Sequence, residues 1–329
     1  MHKARKPMMF NLLAGAVLAA VSGMSQPAFA WPEKPITMII PFSAGGGTDA
    51  TGRMLAALME KELGTPVNVV NRPGGNGLVG HSAIAAAAPD GYTIGVATTE
   101  SMSYKPTGLS QFRPTTDFSA IAVYNTDPTS VVVPADAKYK SLAELLEAIK
   151  SGEQVRVSTG GAFGGSYQIA FGLLLKDRGV DPMKPTYVSS QGSAPGLQEM
   201  VAGGVDVTLT TLAEAASLIQ AGKVRPLAVI GDKRNPGYPD VPSTAEAVGA
   251  TELKFSSWRG VMAPAGLPQE VADRLRAVVK QGAVSREFKE FMGNRGFGVA
   301  WIEGEDLKSF LVTSEKEMAT GLKEIGLAK

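Results

Sequence analysis

IIPFSAGGGTDATGR, residues 39–53, runs an apolar segment into three consecutive glycines and then into a Thr and an Asp that open a helical pattern. Leu55, Leu58, Met59 and Leu63 follow at i, i+3, i+4 and i+8, which is one face of an amphipathic helix. The stretch reads strand, glycine loop, helix. It recurs as the strand PVNVVN (66–71), the loop RPGGNG (72–77), the helix-favouring LVGHSAIAAAAPDG (78–91) and the strand YTIGVATT (92–99). Successive units of this kind imply a parallel sheet with right-handed crossovers.

After the irregular segment 100–118 a second series begins. TSVVVPA (129–135), SLAELLEAIKSG (141–152), VRVSTG (155–160), GAFGGS (161–166) and YQIAFGLLLKDRG (167–179) lead on to PTYVSS (185–190), QGSAPG (191–196), LQEMVAGG (197–204) and VDVTLTT (205–211). A Pro-rich connection (234–249), the segment FSSWRGVMAPAGLP (255–268) and two terminal helices close the chain. The expected architecture is α/β with two domains, each a parallel-rich sheet flanked by helices, with a ligand cleft between them. Residues 31–125 plus about 250–329 form the first domain and about 126–249 the second, with the tail returning to the first.

Composition narrows the chemistry. The chain has 329 residues, 44% hydrophobic and 19% charged, with 38 glycines, as an ordinary globular α/β protein has. Its start, residues 1–30, reads as a signal peptide: basic MHKARK, apolar MMFNLLAGAVLAAVSGM and SQPAFA, with cleavage after Ala30. As a retained anchor the apolar stretch is interrupted by Asn11 and Ser22 and falls short of a ~20-residue span. Removing Lys3, Arg5 and Lys6 takes 32 basic residues to 29 against 31 acidic ones, a formal charge of −2. No nucleic-acid partner or anionic membrane surface is expected.

With no cysteine, an exported chain must rest on its core. His81 is the only histidine past residue 30, so a Ser-His-Asp site would have to use it, and zinc sites of the His/Cys kind are excluded. Its small-residue surroundings suit a surface or packed helical position. No cofactor, metal or catalytic residue is expected.

Gly45, Gly47 and Ala50 satisfy the dinucleotide pattern G-x-G-x-x-A, but the second strand ends in Asn71 where an acid should hold the ribose. No Gly-Lys-Ser/Thr follows, as a P-loop requires. A bland reading also stands, in which the glycines only permit a tight turn capped by Thr48 or Asp49. Repetition favours a cradle: four glycine loops sit where strands feed helices, which lets backbone N–H groups and helix dipoles approach an anion. The loops 43–49 and 159–166 contain no Lys or Arg, which suits a small carboxylate better than a polyphosphate.

WPEKPITMIIPFSAGGGTDATGR, VNVVNRPGGNGLVGHSAIAAAAPDGYTIGVAT, QGSAPGLQEMVAGGVDVTLTT and WRGVMAPAGLP together resemble the extracytoplasmic solute receptors of tripartite tricarboxylate transporters, the Bug or TctC-like family. The resemblance implies a periplasmic binding protein that closes over a carboxylate and delivers it to membrane permease subunits. It places ligand contacts on Ser43, Ala44, Gly45, Gly46, Gly47, Thr48 and Asp49 of one domain. Thr159, Gly160, Gly161, Gly164, Gly165 and Ser166 supply them from the other. This chain departs from the family pattern at Ser190, Gln191 and Gly192, and at Thr210 and Thr211; Gln191, Gly192, Ser193, Thr210 and Thr211 are also expected to line the cleft.

Thr99 and Glu100, at the end of a strand, and Arg259, after Trp258, are the remaining candidates. Arg259 has two readings, a fork for a distal carboxylate, which favours a di- or tricarboxylate, or an interdomain ion pair or stack on Trp258. Glu100 is either a solvated loop acid or a group that repels bulkier anions and accepts from a ligand hydroxyl or ammonium. Gly46 is expected to be indispensable. Two other functions compete with monomeric transport: docking of the loaded protein on a periplasmic sensor kinase, and an enzyme, which would need His81.

Overall fold

The apolar runs pair into two five-stranded sheets of matching order. A computed structural model describes residues 31–161, 163–251, 253 and 255–328; the expected signal peptide lies outside them. The first part holds β1 (Ile36–Ile40), α1 (Gly47–Leu63), β2 (Val67–Asn71), α2 (Leu78–Ala85), β3 (Thr93–Thr98), α3 (Pro114–Asp117) and β4 (Phe118–Pro128). The second holds β5 (Ser130–Pro134), α4 (Leu142–Ser151), β6 (Arg156–Ser158), α5 (Ser166–Asp177), β7 (Thr186–Val188), α6 (Ser193–Val201), β8 (Val207–Thr210), α7 (Leu212–Gln220), β9 (Val224–Val229) and α8 (Thr244–Val248). Then come β10 (Ser256–Pro264), α9 (Gln269–Val284), α10 (Arg286–Arg295) and α11 (Gly304–Glu324).

The sheet orders are β2-β1-β3-β10-β4 and β7-β6-β8-β5-β9. β1, β2 and β3 run parallel, as do β6, β7 and β8. The antiparallel member of each sheet, β10 or β5, is the strand that arrives from the other half. Both sheets are thus parallel-rich, as expected, each with one strand reversed by the crossing. β4 continues to Pro128 and β5 starts at Ser130, so the first crossing is at Thr129, beyond the expected boundary at 125. Ser256 of β10 pairs with Pro128, which brings the two crossings side by side. Pro32–Lys329 pack as one compact unit.

Local chemistry accounts for the elements. Ile121 to Tyr124 of β4 are all buried, the continuous apolar run of a sheet covered on both faces. In α4, Leu142, Leu145, Leu146 and Ile149 form the buried stripe; Ser141 caps its start and Gly152, at φ 97°, ends it. Each such buried aliphatic side chain contributes about 1.5–3 kcal/mol.

The tail corrects one expectation. Three helices follow β10, not two, because Ser285 ends α9 and caps α10, accepting from Phe288 N. The tail also touches both halves: Gly321 of α11 packs against Ile169 of α5, and Ile325 against Gly172. Small residues on both helices allow this close approach.

Candidate functional site

Three helices begin at one cavity, α1 from the first half and α5 and α6 from the second, and the loop before α2 reaches it through Asn76. Their N-caps are Gly46 (α1), Gly165 (α5) and Gly192 (α6), and neither these nor Gly77, which caps α2, makes a side-chain cap bond. Away from these starts α4, α8 and α10 are capped by Ser141, Ser243 and Ser285, whose hydroxyls accept from first-turn N–H groups. A serine consumes a helix's orphan N–H; a glycine leaves it for something else. The four loops follow β1, β2, β6 and β7, at the carboxyl ends of parallel strands where open α/β sheets form their crevice.

The cavity measures about 40 Å3. Ser43, Gly46, Gly47 and Thr48 line it from the first glycine loop, with Glu100 and Arg259 beside them. Thr159, Gly160, Gly161, Gly165 and Ser166 line it from the second half, with Gly192 and Ser193. Two glycines are required by close approach. A Cβ on Gly160, at φ +64°, would lie 1.8 Å from the Leu209 carbonyl oxygen, and one on Gly47 would lie 2.5 Å from Glu214 Oε1. Gly46 is different: its φ is −81° and a Cβ there meets nothing closer than 3.8 Å. Neither a positive φ nor a protein neighbour therefore requires glycine at Gly46, and close approach within the protein falls on Gly47.

Glu214, which sequence reasoning missed, is the most heavily hydrogen-bonded group of the cleft. It is the third residue of α7 and forms a capping box with Thr211. Its Oε2 accepts from Ser193 Oγ (2.6 Å), Tyr167 Oη (2.8 Å) and Thr210 Oγ1 (3.0 Å). Its Oε1 crosses to the other half, accepting from Gly47 N (3.2 Å) and Arg259 Nη2 (2.7 Å). Burial alone would raise its pKa, but the Arg259 guanidinium and these hydroxyl donors hold it below the usual carboxylate range. The legible signal was Thr-x-x-Glu directly after a strand.

Arg259 is buried and neutralised by protein carboxylates. Besides Glu214, its Nη1 donates to Asp127 Oδ2 (3.0 Å) and Asn125 Oδ1 (2.5 Å), and its Nε to Thr48 Oγ1 (3.0 Å). Of the two sequence readings, this geometry is the ion pair between halves. Burial raises the Asp127 pKa against the pull of Arg259.

Three further bonds cross the cleft. Glu100 Oε1 accepts from Ser166 Oγ (2.5 Å) and Ser166 N (3.4 Å) at the start of α5, and Ser43 N donates to the Gln191 carbonyl (3.4 Å). Glu100 is therefore part of the cleft rather than a solvated loop acid.

The remaining expected residues stand behind the wall. Asp49 accepts from Gly45 N, Arg53 Nε and Asn71 Nδ2 and so fixes the first loop; Asn71 braces that loop where a dinucleotide site would need an acid. Thr99 Oγ1 accepts from Trp258 N (2.5 Å), Gly164 N donates to Gln168 Oε1 (2.7 Å), Thr210 and Thr211 hold Glu214, and Ala44 lies on the loop without lining the cavity. Asn76, Thr98, Tyr167 and Trp258 line it unforeseen. His81 is fully buried against Tyr104, and burial lowers its pKa to about 3, so it is a core residue.

The tripartite tricarboxylate transporter family receptor model matches residues 51–327. This chain belongs to that family. A UPF0065 protein encoded in the tcbD–tcbE intergenic region of a Pseudomonas species is 31% identical over 311 residues, 91% of each chain. Among solved structures the periplasmic binding protein BugD is 28% identical, with a TM-score of 0.83 over 91% of this chain and 100% of its own. MatC from Rhodopseudomonas palustris with bound malate is 27% identical (TM-score 0.79; 89% and 100% covered). Rpa4515 of R. palustris with adipate is also 27% identical (TM-score 0.84; 91% and 99%). Members of the receptor family are periplasmic solute-binding proteins, not enzymes, and the present fold is the two-domain fold of these neighbours.

Proposed function

We propose that this receptor, exported by cleavage after Ala30 and acting as a monomer, captures a small carboxylate between its two domains and presents it to the membrane permease subunits of a tripartite tricarboxylate transporter. The observation that carries the reading is the convergence of three glycine-capped helix starts, α1, α5 and α6, on one cavity. First-turn N–H groups have no acceptor within their own helix, and the helix dipoles favour negative charge there. The malate and adipate complexes of the two R. palustris neighbours support a carboxylate. The glycine loops and Ser166 and Ser193 are the proposed ligand contacts.

The test is a thermal-shift screen of purified protein against mono-, di- and tricarboxylates. A hundredfold excess over Kd raises stability by about 2.7 kcal/mol. Absence of a shift with every acid overturns the reading.

A further inference from the structure

The helix starts invite an anion, but the charged side chains around the cavity impose a second requirement. Glu100, Glu214 and Arg259 line it, and Asp127 stands behind Arg259. The one guanidinium is already answered by two carboxylates, at 2.7 and 3.0 Å. Glu214 has both oxygens filled by donors from six other residues. Glu100 is the exception. Its Oε1 serves Ser166, while its Oε2 has no hydrogen-bond partner among the described residues.

A second, independent vacancy lies two residues away. Thr98 Oγ1 is buried, lines the same cavity, and has no hydrogen-bond partner among the described residues. Buried polar atoms are nearly always satisfied, so the unfilled Thr98 hydroxyl, in a cavity that the half-buried Glu100 carboxylate also lines, marks a place for a donor. A second carboxylate at that spot would bring like charges together in a partly desolvated cleft with no spare cation. A hydroxyl fills one acceptor; an ammonium has three donors and the opposite charge.

We propose that the cleft selects a small zwitterion, an acid bearing a protonated amine, whose carboxylate lies against the glycine-capped helix starts and whose ammonium is received by Glu100 and Thr98. This rests on the reading of the cleft as a carboxylate site and replaces the di- or tricarboxylate expected when Arg259 was read as free.

The experiment is calorimetric titration of the purified protein with alanine, β-alanine, lactate, propionate, succinate and propylamine, repeated on Glu100→Gln and Thr98→Val. Glu100→Gln keeps an oxygen for Ser166 and removes the charge; thermal melting confirms that each variant folds. At least one of the two amino acids should bind about tenfold or more tighter than propionate, lactate and succinate, a difference of about 1.4 kcal/mol. Glu100→Gln should erase that preference, and Thr98→Val should weaken the amino acid by a larger factor than it weakens propionate. Succinate, lactate or propionate binding as tightly as the better amino acid, or a preference that survives Glu100→Gln, overturns the zwitterion and leaves the carboxylate reading intact. Propylamine binding with none of the acids overturns both.

Discussion

Glu214 Oε1 lies 2.7 Å from Arg259 Nη2, and the two residues belong to opposite halves of the cleft. Both side chains are at most 5% exposed, so the pair is desolvated, and Asp127 at 3.0 Å completes a buried acid–base–acid row. Burial works against the charge on Arg259, but Glu214 and Asp127 hold it firmly protonated.

Arg259→Met should therefore destabilise the protein by about 3–5 kcal/mol, because it strands two buried carboxylates. Adding Glu214→Gln to that variant should recover part of the loss, since one stranded charge is then gone. Urea denaturation of the single and double variants reads both. A loss below ~1 kcal/mol in Arg259→Met would place the pair among the weak surface interactions.

Gly47→Ala and Gly46→Ala separate close approach from loop composition. A Cβ on Gly47 would sit 2.5 Å from Glu214 Oε1 and 2.9 Å from Arg259 Nη2, whereas Gly46 has open space. Gly47→Ala should remove carboxylate binding and cost stability by displacing Glu214. Gly46→Ala should cost about 1 kcal/mol or less, the difference between glycine and alanine at an N-cap. Equal effects of the two changes on affinity would refute the placement of Glu214 against the α1 start.

His81 supplies a pH dependence whose sign is fixed. Its pKa is lowered from 6.5 to about 3, mainly by burial. Between those values the unfolded chain binds one proton more than the folded one, so stability is complete above pH 6.5 and falls as the pH drops, by about 1.4 kcal/mol per unit. Stability measured in urea from pH 7 to pH 4.5 should fall by that much more in wild type than in His81→Gln. Parallel curves for the two proteins would mean that His81 titrates alike in both states.

What was legible in the sequence was what neighbouring residues encode. The apolar runs and glycine loops are local patterns, so the strand–loop–helix order, the two sheets and the cavity-lining loops could be read from them. Glu214 was not, because its partners Gly47, Tyr167, Ser193 and Arg259 lie far away in sequence and only the double crossing of the chain brings them together. The same absence of pairing information left Arg259 open between ligand and ion pair. The break between α9 and α10 hid in a single serine within a helical pattern.

The cross-cleft bonds also bear on closure, which sequence reasoning expected to follow ligand binding. Glu214 to Gly47 and Arg259, Glu100 to Ser166, and Ser43 to Gln191 all join the halves through the protein's own groups. If these bonds hold the empty cleft closed, ligand adds little compaction, and apparent affinity equals intrinsic affinity divided by the closed fraction. Glu214→Gln removes the charge that Arg259 answers and leaves the α1 N–H groups in place for a ligand. Small-angle scattering should then show an empty variant with a larger radius of gyration than empty wild type, contracting to the wild-type value when the ligand found by calorimetry is added. Its affinity should drop although the α1 N–H groups stay in place. A wild-type protein that itself contracts strongly on binding, or a variant whose radius and affinity match wild type, would show that closure draws its energy from the ligand and not from Glu214.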